Sequence, residues 1–472
     1  MVPQFLSLSE LFISKRKPNG VVAFEKGKPV DWETFSKQVA GLCVKLKREP
    51  QGQWLVASTS SYAFAVSLCA LWQTDNVAIL PPNLQLGTLA EIADEYCGIV
   101  GDYPFGNSKL PVLIPTAFSG RHWQWKRLDR QKVLLKLYTS GSTGERKAVP
   151  KTLANLEEEL AAQEATFGGR LGDCAVLSTV SHQHIYGLLF KLLWPLCAGR
   201  PFVSETPLLW EEIFSARQSL SSVCLVSSPA HLDYACAPGK EKSPLGCQII
   251  FSSGAPLKKQ TVKVIRDGWG LSVIEVFGST ETGGVGWRIQ NGRRDSEYWT
   301  PLRGVSVFAA AHDNNRLRVL SPFATASDSE GWYAMGDKAR VFMDGRFLTN
   351  GRVDRVVKIA GKRFSLDDME ARLNHHSWVN RTALTVFARG NSGRRCVGAV
   401  IALNRRGKTR LGKIGRLAAD KKFRTDLKTH FEAVTLPRYF TYVDALPVNS
   451  EGKITRDVLN GLFPRAAFSE AP

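Results

Sequence analysis

Short apolar runs recur along the middle of the chain, each closing in Ser, Gly or Thr. Val133–Tyr138, Ala175–Val180, Val223–Val226, Gln248–Phe251 and Val273–Phe277 are such runs. A run of this length bounded by turn formers predicts a strand buried on both faces. Leu153–Phe167 has another period: Leu153, Leu156, Leu160 and Ala161 share one face of a helix. The alternation predicts βα units with parallel strands, whose carboxyl ends carry the loops that bind ligands. After Gly351 the pattern shifts, with strand-like runs at Arg355–Ile359 and Val397–Leu403 and a helix-like run at Leu366–Leu373. A boundary is expected near Arg352–Asp354. The expected class is α/β: a large N-terminal domain of βα subdomains with parallel sheets over 1–352, and a small α+β domain over 353–472.

Composition narrows the setting. The 472 residues are 44% hydrophobic and 22% charged, enough for one large domain and a smaller one. No apolar run reaches the length of a membrane span, and Met1–Lys17 lacks the apolar core of a secretory signal. The nine cysteines form no CxxC pair and lie mostly among apolar neighbours, which predicts buried thiols in a reducing cytoplasm. The eight histidines show no HExxH spacing, so no protein-ligated zinc or iron is expected. Net charge is +19, and Arg352–Pro472 holds 24 Lys and Arg against 11 Asp and Glu. Within it, Arg405–Arg416 has six basic residues and no acid. That stretch reads either as a solvated loop or as a surface for an anionic partner: coenzyme A phosphates, an acidic carrier protein, nucleic acid or a membrane.

The densest chemistry lies in Tyr138-Thr-Ser-Gly-Ser-Thr-Gly-Glu-Arg-Lys147, expected between a strand and a helix. Hydroxyls of Thr139, Ser140, Ser142 and Thr143 can donate to phosphate oxygens. Gly141 and Gly144 let main-chain N–H groups face an anion, and Lys147 adds a point charge. The spacing from Gly144 to Lys147 does not fit GxxxxGK[ST], which argues against a P-loop kinase or GTPase.

The segment resembles the phosphate loop of the adenylate-forming, AMP-binding enzymes: acyl- and aryl-CoA synthetases, acyl-carrier-protein ligases, peptide-synthetase adenylation domains and luciferases. Further segments resemble the same family, in family order from about residue 130 to 460. In Ser181-His-Gln-His-Ile-Tyr-Gly187 the resemblance implies that His184 borders the acyl pocket, with Tyr186 lining it; His182 has no counterpart and is expected to be structural. Gly254-Ala-Pro256 would lie along adenine. In Phe277-Gly-Ser-Thr-Glu281, Phe277 and Gly278 would meet adenine, Thr280 the α-phosphate, and Glu281 the Mg²⁺ ion. Gly283, Gly284 and Gly286 would leave room beside the acid, with Trp287 near. Gly331-Trp-Tyr-Ala-Met-Gly-Asp337 has Met335 where the family has Thr; Asp337 would accept both ribose hydroxyls. In Asn350–Arg363, Arg352 would contact ribose or phosphate, Asp354 would be the hinge, and Gly361 and Arg363 would face the pantetheine thiol. In Leu446–Arg456, Lys453 would reach the carboxylate and α-phosphate.

The function so implied is activation of a carboxylic acid, an aryl or fatty acid by preference, as an acyl-adenylate at the expense of ATP with Mg²⁺. The acyl group would then pass to a thiol, either coenzyme A or the phosphopantetheine of an acyl carrier protein acting in trans. A carboxylate attacking the α-phosphorus brings anion onto anion, and Lys147, Lys453, hydroxyls and Mg²⁺ offset that repulsion. The smaller domain would swing about Asp354 between the two steps. A stand-alone amino-acid adenylation enzyme is an alternative. The charge alone also suggests a basic nucleic-acid-binding protein, but no helix-turn-helix, zinc-finger or RNA-binding aromatic motif accompanies it. An adenylate-using oxygenase and a non-catalytic relative are further alternatives. Against the last stands retention of Lys147, Glu281, Asp337, Arg352 and Lys453.

Overall fold

The computed structural model describes residues 5–102, 110–120, 122–140, 146–207, 209–217, 220–236, 247–291, 294–313, 315–325, 328–352, 355–389, 394–446 and 456–463. Contacts divide the chain into two units. The first holds Met1–Pro82, Ile92–Thr139 and Ala148–Val353; the second holds Asn83–Glu91, Ser140–Lys147 and Asp354–Pro472.

Two mixed sheets organise the first unit. In the larger, the strands run Thr300–Pro301, Gly283–Ile289, Val273–Ser279, Cys247–Ser253, Val223–Ser227, Ala175–Ser178, Phe202–Val203, Val21–Glu25 and Lys28–Asp31. The six strands from Val273–Ser279 to Val21–Glu25 are mutually parallel, and antiparallel strands close both edges. The second sheet runs Val112–Leu113, Gly98–Gly101, Gln53–Ala57, Val77–Leu80, Val133–Ser140 and Arg146–Thr152. A smaller antiparallel sheet, Ser306–Phe308 to Phe347–Arg352, follows in the chain.

The helix Ser61–Gln73 is buried along its whole length, and its sequence, SYAFAVSLCALWQ, carries no charge to bring to a surface. It packs against strands Gln53–Ala57, Val77–Leu80 and Gly98–Gly101. Phe64, Leu68 and Leu71 are each fully buried, worth about 1.5–3 kcal/mol apiece. Its start is fixed by Ser60, whose hydroxyl accepts from the Ala63 N–H.

One expectation changes at the phosphate loop. After Val133–Ser140 the chain re-enters the same sheet as Arg146–Thr152, and only then does the helix Leu153–Gln163 begin. Thr152 and Asn155 form the reciprocal cap that starts it. The apolar period of Leu153–Phe167 was continuous, but the turn Glu164–Gly168 takes the wider π form.

In the second unit, the antiparallel pair Val379–Arg389 and Arg394–Leu403 is joined in parallel by Tyr439–Val443. Met369 and Leu373 from the helix Leu366–Asn374 meet Phe423 and Leu427 in its core. Arg405–Arg416 is not a loop. It opens the helix Arg405–Lys428, capped by Asn404, which accepts from Gly407 N–H at 2.9 Å. The six basic side chains are exposed, so its composition reported solvation correctly while hiding the helix. A break at Gly415 (φ 76°) divides it. No helix among the described residues is long and apolar enough to cross a membrane.

Candidate active site

Three of the motif segments leave the same end of the large sheet. Gly254-Ala255-Pro256 follows Cys247–Ser253, Thr280-Glu281 follows Val273–Ser279, and Ser181–Gly187 comes shortly after Ala175–Ser178. These strands are parallel, so all three segments lie at carboxyl ends, where a parallel sheet receives its ligands. Ser253 pairs with Val276 in register and its hydroxyl donates to the Val276 carbonyl at 2.7 Å. Gly254 takes φ 98°, a value a side chain opposes.

Thr280 and Glu281 form the tip of a β-hairpin. Phe277 faces Gly286, Gly278 faces Gly284, and Ser279 faces Gly283. The tip is closed by Ser279 and Thr282: Thr282 N–H donates to Ser279 Oγ at 3.2 Å, and Ser279 N–H to Thr282 Oγ1 at 3.3 Å. Thr282 is buried, whereas Thr280 and Glu281 are half-buried and present their side chains at the tip. Glu275, buried earlier on the same strand, accepts from Leu257 N–H at 2.9 Å and from Arg288 Nε at 2.7 Å. The Gly-Ala-Pro-Leu turn is thereby tied to the hairpin.

Phe277 is half-buried, its ring 5.4 Å from Trp299 and 5.8 Å from Phe347. Asp337 and Arg352 lie directly opposite each other on the consecutive strands Trp332–Val341 and Phe347–Arg352. Met335, two residues before Asp337, is 3% exposed and belongs to the core, which accounts for an apolar side chain where Thr was expected.

The two histidines of the Ser181–Gly187 segment lie in different surroundings. His182 is buried; its Nδ1 lies 2.8 Å from Ser61 Oγ and its Nε2 2.9 Å from the Ser58 carbonyl. Burial holds it down to about 3, so it is neutral at ordinary pH. His184 is exposed and precedes the short helix Ile185–Gly187. The Tyr186 ring lies 5.0 Å from Phe190, and burial raises its phenol well above the usual range.

The space expected beside Gly283 and Gly284 is filled by the protein. A β-carbon on Gly283 would meet the Glu159 carboxylate and come 2.8 Å from Phe323 Cβ; on Gly284 it would come 2.7 Å from Leu302 Cδ1. These glycines serve close packing. Trp287 meets Phe167 edge-on at 5.6 Å.

The groups beneath the tip belong to no sequence motif. Lys151, 1% exposed, donates to the Glu281 carbonyl at 3.0 Å and to the Phe323 carbonyl at 2.6 Å. Glu159, 2% exposed, accepts from Gly284 N–H at 2.7 Å. Lys151 stands four residues beyond Lys147 and immediately before the Thr152 cap, so its period could have been read as surface; only its burial marks it.

Other expected residues fall elsewhere. Thr139 and Ser140 end the strand Val133–Ser140, and Lys147 is exposed on the next strand. Gly141, Ser142, Thr143, Gly144, Asp354 and Lys453 lie outside the described residues, as does the side chain of Arg352. In the second unit, Ala360 (φ 49°) and Gly361 (φ 81°) make the two-residue turn between Val356–Ile359 and Lys362–Ser365. Arg363 is exposed there, opposite Lys358.

Residues 105–320 match the family model described as AMP-binding enzyme. The chain is 24% identical over 368 residues to a probable CoA ligase of Humulus lupulus, covering 70% of this chain and 63% of that protein. It is 23% identical over 367 residues to the D-alanine–D-alanyl carrier protein ligase of Staphylococcus epidermidis, covering 71% of this chain and 73% of that protein. Among solved structures it is similar to an o-succinylbenzoate CoA synthetase of Bacillus subtilis, with TM-score 0.80 and 15% identity over 97% of this chain and 98% of the other. That likeness shows the fold. Residues 105–320 thus resemble an AMP-binding enzyme, and the proteins the chain is similar to include CoA ligases and carrier protein ligases. It spans less than two thirds of the length of the Humulus protein.

Proposed function

We propose that this protein activates a carboxylic acid with ATP as an acyl-adenylate, releasing pyrophosphate, and then transfers the acyl group to a thiol. The observation that carries the reading is the hairpin tip at the carboxyl end of the parallel strands, where Thr280 and Glu281 are offered by a main chain held from three sides. Phe277 gives a flat face for a base, and Asp337, opposite Arg352, a carboxylate for ribose hydroxyls. Among the described residues no three metal-binding side chains stand together. Mg²⁺ takes few protein carboxylates and completes its shell with phosphate oxygens and water. Glu281 is the residue that would hold it. The ion would neutralise phosphate charge. Thr280 and Lys147 would donate to phosphate oxygens, as would the hydroxyls of 139–143. Lys453 would join them in the first step and withdraw in the second by movement at Asp354. Gly361 and Arg363 would then meet the incoming thiol.

The D-alanyl carrier protein ligase supports a carrier as acceptor, and the CoA ligase supports coenzyme A. An aryl or fatty acid is the preferred substrate class. The reading is tested by ATP–pyrophosphate exchange over a panel of aryl, fatty and amino acids. Mass spectrometry of products formed with coenzyme A or with purified carrier proteins follows. Acid-dependent exchange is expected; ATP binding without exchange for any acid sinks the reading.

A further inference from the structure

The hairpin tip is held from below by two ionisable side chains that no motif includes. Lys151 is the penultimate residue of the strand Arg146–Thr152, and Glu159 lies two turns into the helix Leu153–Gln163. Between them the Thr152–Asn155 cap fixes the junction of strand and helix. Asn155 also donates to the Pro322 carbonyl at 2.8 Å, so the segment carrying Phe323 is fastened to the same junction.

From this base the tip is held on its carboxyl-terminal side. The Lys151 ammonium donates to the carbonyl of Glu281 itself, at 3.0 Å, and to that of Phe323, at 2.6 Å. The Glu159 carboxylate receives the Gly284 N–H at 2.7 Å, just past the tip. Gly283 (φ 69°) lies against that carboxylate, where no β-carbon fits. Burial brings the Lys151 ammonium down to about 8 and the Glu159 carboxyl up to about 7, each partly offset by the other's charge.

Burying two opposite charges in one region is a poor way to gain stability. Two apolar side chains of the same volume often serve as well or better, because each charge must shed its water. What such a pair supplies is direction: the ammonium here is committed to two carbonyls, the carboxylate to one N–H. Both bonds to the hairpin fall at or just after Glu281, on the carboxyl-terminal side of the residues proposed to meet the metal and the phosphates.

We propose that Lys151 and Glu159 are positioning residues, which hold the main chain of the Thr280–Glu281 tip in the orientation needed to receive metal-bound triphosphate. The proposal rests on the functional reading above. Neither residue would touch the nucleotide; both would act through the backbone of the tip.

The test compares wild type with Lys151→Met and with Lys151→Met/Glu159→Gln. The double variant leaves no unpaired charge buried and retains an acceptor for Gly284 N–H, so it guards against a simple failure to fold. Amide hydrogen exchange by mass spectrometry is read for the peptide spanning 279–285. Calorimetry measures binding of ATP with Mg²⁺ and, separately, of AMP without metal. Exchange in that peptide is expected to quicken about tenfold, with the rest of the chain unchanged. Binding of ATP with Mg²⁺ should weaken about tenfold while AMP binding stays within about twofold. Unchanged exchange at 279–285, exchange raised throughout the chain, or equal weakening of both nucleotides overturns the proposal. If wild type binds neither nucleotide, the functional reading fails. Exchange then still decides whether the pair holds the tip, although its purpose in receiving triphosphate falls with that reading.

Discussion

Gly278→Ala should separate the geometry of the hairpin tip from the stability of the fold. A β-carbon at 278 would come within 3.0 Å of the Gly283 carbonyl oxygen, and to 3.0 Å of Gly284 Cα. Both obstacles are main chain, so no side chain can swing aside. The two strands must part by about 1 Å to restore ordinary contact. Gly278 stands two residues before Thr280, and the displacement is therefore delivered to the tip. Overpacking of this kind costs about 1–3 kcal/mol, a shift of a few degrees in melting temperature for a chain this size. A 1 Å misplacement of a catalytic group costs about 100-fold in rate. Pyrophosphate exchange should thus fall about 100-fold at a temperature where circular dichroism shows the variant folded. Gly268→Ala is the control. It lies in the helix Lys259–Trp269 with open space around the new methyl, and should be neutral or stabilising by up to about 1 kcal/mol. Gly278→Ala with wild-type melting and wild-type exchange would refute the reasoning.

Three further outcomes are expected. Lys453→Ala should abolish pyrophosphate exchange yet spare thiolysis of a supplied acyl-adenylate; equal loss of both steps counts against a lysine confined to the first. Lys191, fully buried, donates to the Glu205 carbonyl at 3.0 Å and to Thr206 Oγ1 at 2.6 Å, and burial lowers its ammonium from 10.5 to about 7. Because the unfolded chain holds this proton more tightly, stability should rise with pH between about 7 and 10.5, by at most about 1.4 kcal/mol per unit, and level off below. Denaturant melts of wild type and Lys191→Met should differ by that slope; parallel pH profiles would contradict it. In native titration with a thiol reagent, half-buried Cys97 and Cys236 should react before the buried cysteines. Early labelling of Cys43 or Cys197, whose thiolates burial opposes, would contradict the packing.

Much of the fold was legible because its signals are local. A buried parallel strand must be apolar over its length, so Cys247–Ser253 and Val273–Ser279 announced themselves within a residue or two. The residues proposed for phosphate, ribose and metal were equally visible, since that chemistry demands particular side chains at close spacing. Local period failed where two structures share a composition. The six basic residues of Arg405–Arg416 are exposed in a helix as they would be in a loop. Glycines 283 and 284 read as open space, whereas their missing side chains make way for Glu159 and Leu302.

The sequence by itself determined the chemistry on offer: hydroxyls, a carboxylate and cations in a fixed order, and strands apolar enough to be buried. It could not show what stands behind them. Asp337 stands opposite Arg352 only through strand register, and Lys151 reaches the Glu281 carbonyl only because strand, helix and hairpin converge. Such contacts depend on distances between segments remote in the chain, and no local spacing encodes them. The tip that carries Thr280 and Glu281 is thus written in the sequence, and its support is decided by the tertiary structure.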